Sequence, residues 1–209
     1  VSRGLGDVYK RQILVSTVDY ANPESLKKMH NSTNEVRNFN FDEDTPVVGG
    51  KQEYKILSDL GSMGADSSNS QNQLNVSGIA GKNSTITGSG AWEGFNVDSS
   101  DGLNRELNLN DVIIADMVTN TRTDGSGVYV KGTVDNSVVN IANSGFVNNT
   151  ADGKGGAVYN IDTINSITAD FVDNFCYDAD ETVKGGAIYH HGTCLLYTSP
   201  SPRDTERSR

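Results

Sequence analysis

The stretch Gly145–Ile161, GFVNNTADGKGGAVYNI, decides how this chain reads. It holds Phe146-Val147-Asn148-Asn149, a short polar gap, and then Gly155-Gly156-Ala157-Val158-Tyr159. Both halves return downstream. Phe171-Val172-Asp173-Asn174 repeats the first half, and Gly185-Gly186-Ala187-Ile188-Tyr189 repeats the second after a slightly longer interval. The difference falls in Cys176–Lys184, CYDADETVK, which reads as an insertion in the connecting loop. Weaker copies lie upstream. Val128-Tyr129 precedes Val158-Tyr159 by the same interval that separates Val158-Tyr159 from Ile188-Tyr189. Leu107-Asn108-Leu109-Asn110 resembles Val139-Asn140-Ile141-Ala142 at a similar distance.

Short strands that recur at such a period, bounded by Gly, Asn and Asp, signal a solenoid. One unit cannot bury its own apolar face. Stacked units pair each strand with the next and share a core. Alternating Val, Ile, Leu and Phe should point inward, with polar residues between them pointing out. Glycine pairs suit sharp bends, and Asn tolerates left-handed backbone there. Asn148, Asn149 and Asn174 are candidates for side-chain ladders between coils. The expectation is an all-β parallel β-helix, cut at both ends, with four or five coils over residues 74–193. No amphipathic helix interrupts that region, so a βαβ architecture is not expected. Residues 13–73 read as irregular structure or early coils. Ile13–Tyr20 reads as a strand, Pro23–His30 as one or two helical turns, and Glu53–Leu60 as either strand or helix.

Phe-x-x-Asn followed by Gly-Gly-Ala-(Ile/Leu/Val) resembles the repeat of polymorphic outer-membrane proteins, a family of autotransporter adhesins. Here the motif stands as Phe146, Asn149, Gly155, Gly156 and Ala157, and again as Phe171, Asn174, Gly185, Gly186 and Ala187. The resemblance implies a right-handed β-helical passenger displayed on the outer membrane or cell surface. Two departures stand out. Spacing slips by one residue within Asn165–Asp170, and Gly127 lacks the full Gly-Gly-Ala.

The ends read differently. The DNA segment GATGTGTATAAGAGACAG encodes Asp7–Gln12, and its reverse complement, shifted by one base, encodes Cys194–Thr198. Such an inverted repeat resembles a sequencing-library adapter translated into protein, so residues 1–12 and 194–209 are expected to be foreign and are set aside. The whole chain has 17 basic and 27 acidic residues, a net charge of −10. The two ends hold six of the basic and three of the acidic ones, which leaves 11 and 24, a net of −13. That charge repels phosphate backbones and argues against nucleic-acid binding. Cys176 alone remains as a native cysteine, which supports neither a disulfide framework nor a zinc site. No run approaches the roughly 18 apolar residues of a membrane helix. Membrane attachment would come only through a missing anchor or barrel.

Catalysis is the rival reading, because glycosidases need two carboxylates flanking the sugar bond. Asp162, Asp170 and Asp173 are the candidates, against the plainer reading of Asp-rich turns. Asp178, Asp180 and Glu181, with Lys184 nearby, read as a solvated insertion, with weak Ca²⁺ binding as the alternative. His190-His191 reads as an exposed strand end and Cys176 as a buried or loop thiol. Tyr129, Tyr159 and Tyr189 read as a stacked column, with a sugar-binding stripe that includes Trp92 as the alternative. Sequons at Asn31, Asn83 and Asn148 are expected by chance. The balance favours a non-catalytic surface module without cofactor, metal or catalytic residues. Its partner would be a protein or glycan on a host or neighbouring cell, with a pectin lyase-like polysaccharide enzyme as the alternative.

Overall fold

The computed structural model describes residues 22, 24–32, 36–43, 45–64, 71–132, 137–177 and 185–194. After one helix, α1 (Ser25–Asn31), come β1 (Val36–Asn40), β2 (Val47–Val48), β3 (Lys51–Lys55), β4 (Gln71–Ser77), β5 (Ser84–Thr87) and β6 (Phe95–Ser99). Next are β7 (Asn104–Asn110), β8 (Val112–Ala115), β9 (Val128–Gly132), β10 (Ser137–Val147), β11 (Thr150–Ala151) and β12 (Val158–Asn160). The last are β13 (Thr163–Val172), β14 (Phe175–Cys176), β15 (Ile188–His190) and β16 (Thr193–Cys194). Residues 13–20 and the 178–184 insertion lie outside the described residues, as do all but Cys194 of the two adapter-like ends.

The fold is all-β, and among the described residues its pairing is parallel except where β2 and β3 form a short antiparallel pair. Three long columns of strands organise it, beside a short one in which Val118, Thr150 and Phe175 follow one another in register. In the first, Val36 faces Gln73, Gln73 faces Glu106, Glu106 faces Val138, Val138 faces Thr163, and Thr163 faces Thr193. In the second, Glu53, Thr85, Ile113, Gly145 and Asp170 follow one another in register. In the third, the order is Phe95, Val128, Val158 and Ile188, with a single bridge from Ser62 to Asn96 before it. The chain therefore passes through the same columns repeatedly, beginning at Val36. β10 belongs to two columns, because it pairs with β7 over Ser137–Ala142 and with β8 over Gly145–Val147.

The bends between columns have a sequence cause. Asn83, Asp111 and Asn143 all take positive φ (52°, 53° and 48°) and stand at the same place in successive passes. Asp116, Asn148 and Asp173 do the same at the next bend (52°, 54° and 52°). Asn and Asp occupy left-handed backbone more readily than other non-glycine residues.

Alternation builds the core. β4, β6 and β7 bury every second residue, and the inward column Leu74, Leu107, Val139 and Ile164 is almost fully buried. Phe39, Val76, Leu109, Ile141 and Ile167 form the adjacent inward column. α1 joins this core through Leu26, Met29 and His30. Its position is pinned by the Leu26 amide, which donates to Tyr54 Oη (3.0 Å), and by the His30 carbonyl, which accepts from the Gly64 amide (2.9 Å).

Two irregularities have local causes. β10 and β13 shift register between Val139 and Asn140 and again between Ile141 and Ser144. The first shift takes up the extra residue Asn165. Upstream, Gly125-Ser126-Gly127 stands where the next pass has Gly155-Gly156-Ala157, and the Ser126 and Gly127 amides donate to the Gly156 and Ala157 carbonyls (3.3 and 3.0 Å).

Candidate functional site

The repeat motif forms three aligned features on successive passes. The first is aromatic. Phe146 and Phe171 stack with centroids 5.0 Å apart and planes 4° apart.

The second is an asparagine relay. Asn149 is fully buried. Its Oδ1 accepts from the Met117 amide (3.1 Å), and its Nδ2 donates to the Ile114 carbonyl (3.0 Å). One pass later Asn174 repeats the pattern. Its Oδ1 accepts from the Asn149 amide (3.0 Å), and its Nδ2 donates to the Phe146 carbonyl (2.9 Å). The two side chains are also joined, Asn149 Nδ2 to Asn174 Oδ1, at 2.9 Å. Each Asn thus satisfies one backbone donor and one backbone acceptor of the preceding pass. A neutral amide carries its donor and its acceptor on separate atoms, so one side chain serves both backbone groups at once. Asn148 takes another role: it is exposed and donates to Asp116 Oδ1 (2.6 Å).

The third feature is the glycine pair. Gly155 and Gly185 have φ of +64° and +73°, and Gly125 has +59° in the equivalent place. A Cβ on Gly156 would strike the carbonyl oxygens of Phe175 and Gly186. Gly156 and Ala157 donate to the Gly186 and Ala187 carbonyls, both at 2.9 Å, so the motif residues form consecutive rungs.

Beside the glycines, the tyrosines form a column. Tyr129 stacks on Tyr159 at 5.1 Å, and Tyr159 on Tyr189 at 5.3 Å, with planes within 11°. Arg122 lies over the Tyr129 ring (5.1 Å) and Lys154 over the Tyr189 ring (5.0 Å). The rings turn their faces to one another and to these cations. A sugar that stacks on an aromatic face has no free ring at Tyr159. Trp92 packs against the core instead of joining the column. Burial, aided by Tyr159, Asp98 and Asp124, pushes the Tyr129 phenol up to about 12.

The catalytic candidates do not converge. Asp162 is buried ahead of β13, where its Oδ2 accepts from the Ser137 amide (2.8 Å). Asp170 and Asp173 are exposed and lie near or beyond the other end of β13. Cys176 is half-buried in β14. His190 pairs with Asn160 Nδ2 through Nδ1 (2.8 Å), and His191 is exposed. Among the described residues no three His, Cys, Asp or Glu side chains gather as a metal site. Asp178, Asp180 and Glu181 lie outside the described residues.

Two features escaped the sequence. One is a four-rung ladder on the outer face: Asn75 donates to Asn38 (2.8 Å), Asn108 to Asn75 (2.7 Å), and Asn140 to Asn108 (2.7 Å). Its signal was present as an Asn between apolar residues at 74–76, 107–109 and 139–141. The other is a carboxylate socket. Glu93 is buried, and its Oε1 accepts from the amides of Asn120, Thr121 and Arg122 (2.6, 2.7 and 2.7 Å). Its Oε2 accepts from Thr121 Oγ1 (2.8 Å) and pairs with Arg122 (3.2 Å). Burial works to raise the Glu93 carboxyl. The Arg122 charge and these donors outweigh it and hold the group below its ordinary value. Nothing in the spacing of a lone Glu announces three backbone donors from the next pass.

Residues 146–161 match the family model of the Chlamydia polymorphic membrane protein repeat. The matched segment contains Phe146, Asn149, Gly155, Gly156, Ala157 and Tyr159, the residues that form the rungs above. No curated protein and no solved structure matches the chain.

Proposed function

We propose that this chain is a stretch of right-handed parallel β-helix that serves as a non-catalytic, adhesin-like passenger module at a bacterial cell surface. There it would engage a protein or glycan on a host or neighbouring cell. The match at residues 146–161 to a repeat of outer-membrane surface proteins carries the reading. The geometry supports it, because the matched residues act as inter-strand rungs that recur along the chain. Repeated passes of this kind present long outer faces suited to extended contacts. The separation of Asp162 from Asp170 and Asp173 along β13 gives the glycosidase reading no support.

The test uses the fluorescently labelled whole chain on cultured epithelial cells and on bacterial cells. Saturable binding, displaced by excess unlabelled chain, is expected on at least one of them. Release of new reducing or unsaturated ends from polygalacturonate would overturn the non-catalytic reading. Absence of saturable binding on both cell types would overturn the adhesive one.

A further inference from the structure

A shallow groove of about 290 Å³ crosses the outer face of the second column. Gly145 is among its lining residues and is itself buried, with Ile113 beside it in register on one side and Asp170 on the other. Val147 and Val172 line it one step further along the same strands, and Asp111 lines it near the bend before β8.

Gly145 is unlike the motif glycines. Its φ is not positive, and a Cβ there would find its nearest neighbour, Ile113 Cγ1, at an ordinary 3.5 Å. Neither backbone nor packing therefore requires glycine at this place. Its effect is to leave a gap in the row of side chains between Ile113 and Asp170. The gap is apolar on one side, where Val172 is 47% exposed. It also carries two carboxylates. The ion pairs among the described residues join Arg105 to Asp101 and Arg122 to Glu93, and neither involves Asp111 or Asp170.

We propose that this groove binds an extended basic peptide segment of a partner protein. A Lys or Arg side chain would sit over Gly145 between Asp111 and Asp170, and its apolar neighbours would lie against Ile113, Val147 and Val172. The inference rests on the surface-interaction reading and names the partner chemistry of one site within it. Charge complementarity selects the occupant: two unneutralised carboxylates on a chain of net charge −10 attract cations. The groove also has no aromatic residue on which a sugar ring could stack. A long cationic side chain has an apolar stem as well as a charged head, which fits a cleft of mixed character.

The experiment measures fluorescence anisotropy of a labelled, end-blocked VKVRV peptide against the whole chain. An end-blocked VEVEV peptide serves as its acidic twin. The basic peptide should bind saturably and weaken severalfold as salt rises from about 0.05 to about 0.5 M, while the acidic peptide should not bind. Gly145→Leu, which fills the gap, should weaken binding at least tenfold. Asp170→Asn should weaken it roughly tenfold, because a charge-assisted contact is lost. Far-UV circular dichroism and thermal midpoints separate these effects from misfolding. Equal binding of both peptides, or a natively folded Gly145→Leu chain that binds like the parent, overturns the proposal. Cell binding fully retained by Gly145→Leu would remove the groove as the adhesive contact while leaving the adhesive module standing. Loss of cell binding in the parent chain, with peptide binding intact, would do the reverse.

Discussion

At the scale of single residues, burial decides which polar groups matter. Asn149 satisfies a donor and an acceptor on the preceding pass, and its own amide is satisfied by Asn174. Replacing it with Ala would strand the Met117 amide and the Ile114 carbonyl in the core, each at a cost of about 1–3 kcal/mol. Asn149→Ala should therefore lower unfolding free energy by roughly 2–5 kcal/mol in urea titrations. Asn148→Ala, at an exposed bend, should cost about 1 kcal/mol or less. Similar losses for the two variants would show that the relay is not the source of motif stability. The sequence pointed to both asparagines as ladder residues. It could not tell them apart, because which of two adjacent Asn residues turns inward depends on the left-handed φ of Asn148, a tertiary outcome. Glu93 was illegible for a related reason: its partners are backbone amides 27 to 29 residues away, which carry no side-chain signature.

At the scale of elements, the strands around the motif were the most legible part, because apolar alternation and glycine punctuation agree there. The first pass was less so. Glu53–Leu60 could be read as strand or helix, since a short apolar run fits both periods; pairing of β3 with β5 decides it. Glycines separate by element role. Gly156→Ala would press a Cβ into two carbonyl oxygens where β12 is entered, whereas Gly145→Ala finds ordinary contact distance in β10. Gly156→Ala is expected to lower the thermal midpoint by several degrees, and Gly145→Ala to leave it within about a degree, because the added Cβ meets no clash there. Equal shifts would contradict the geometry. α1 offers a test by pH. His30 is fully buried, and burial, assisted by the charges of Arg37 and Arg122, pushes its pKa down to about 4 against the Asn31 hydrogen bond. The unfolded chain, with an ordinary imidazole near 6.5, binds more protons between those values, so stability falls as pH drops through that window. The loss by pH 4 should be roughly 3 kcal/mol. His30→Leu should flatten that part of the urea-midpoint profile; an unchanged slope would show that other groups cause the acid loss.

At the scale of the whole molecule, the organisation is one of neighbours. Every long strand pairs with the strand of the pass before it, the pass after it, or both, and the inward columns run through these pairings without a break. The sequence carried the all-β class and the parallel pairing of recurring strands, because short strands return in it between Gly, Asn and Asp at a regular interval. It did not carry the start of the stack at Val36, where Val36–Asn40 meets Gln73–Ser77 across a longer interval and without the Phe-x-x-Asn motif. Stacks held by nearest neighbours open from their ends, since a terminal strand is paired on one side only while a central one must lose two partners. β7 lies between β4 and β10, and β9 lies between β6 and β12, whereas β15 pairs only with β12 among the described residues. Native-state hydrogen exchange should therefore grade along the chain. Amides of β7 and β9 should exchange slowest and those of β15 fastest. β1 should fall between, because Phe39 packs at the centre of a cluster that includes α1, with Tyr54 edge-on at 5.0 Å. Leu107→Ala, in the middle of the inward column, should cost roughly 2–5 kcal/mol and raise exchange on both sides of β7. If β15 proved as protected as β7, or if Leu107→Ala disturbed only its own strand, stability would not be passing from neighbour to neighbour, and the repeat would be a pattern of sequence without being the unit of folding.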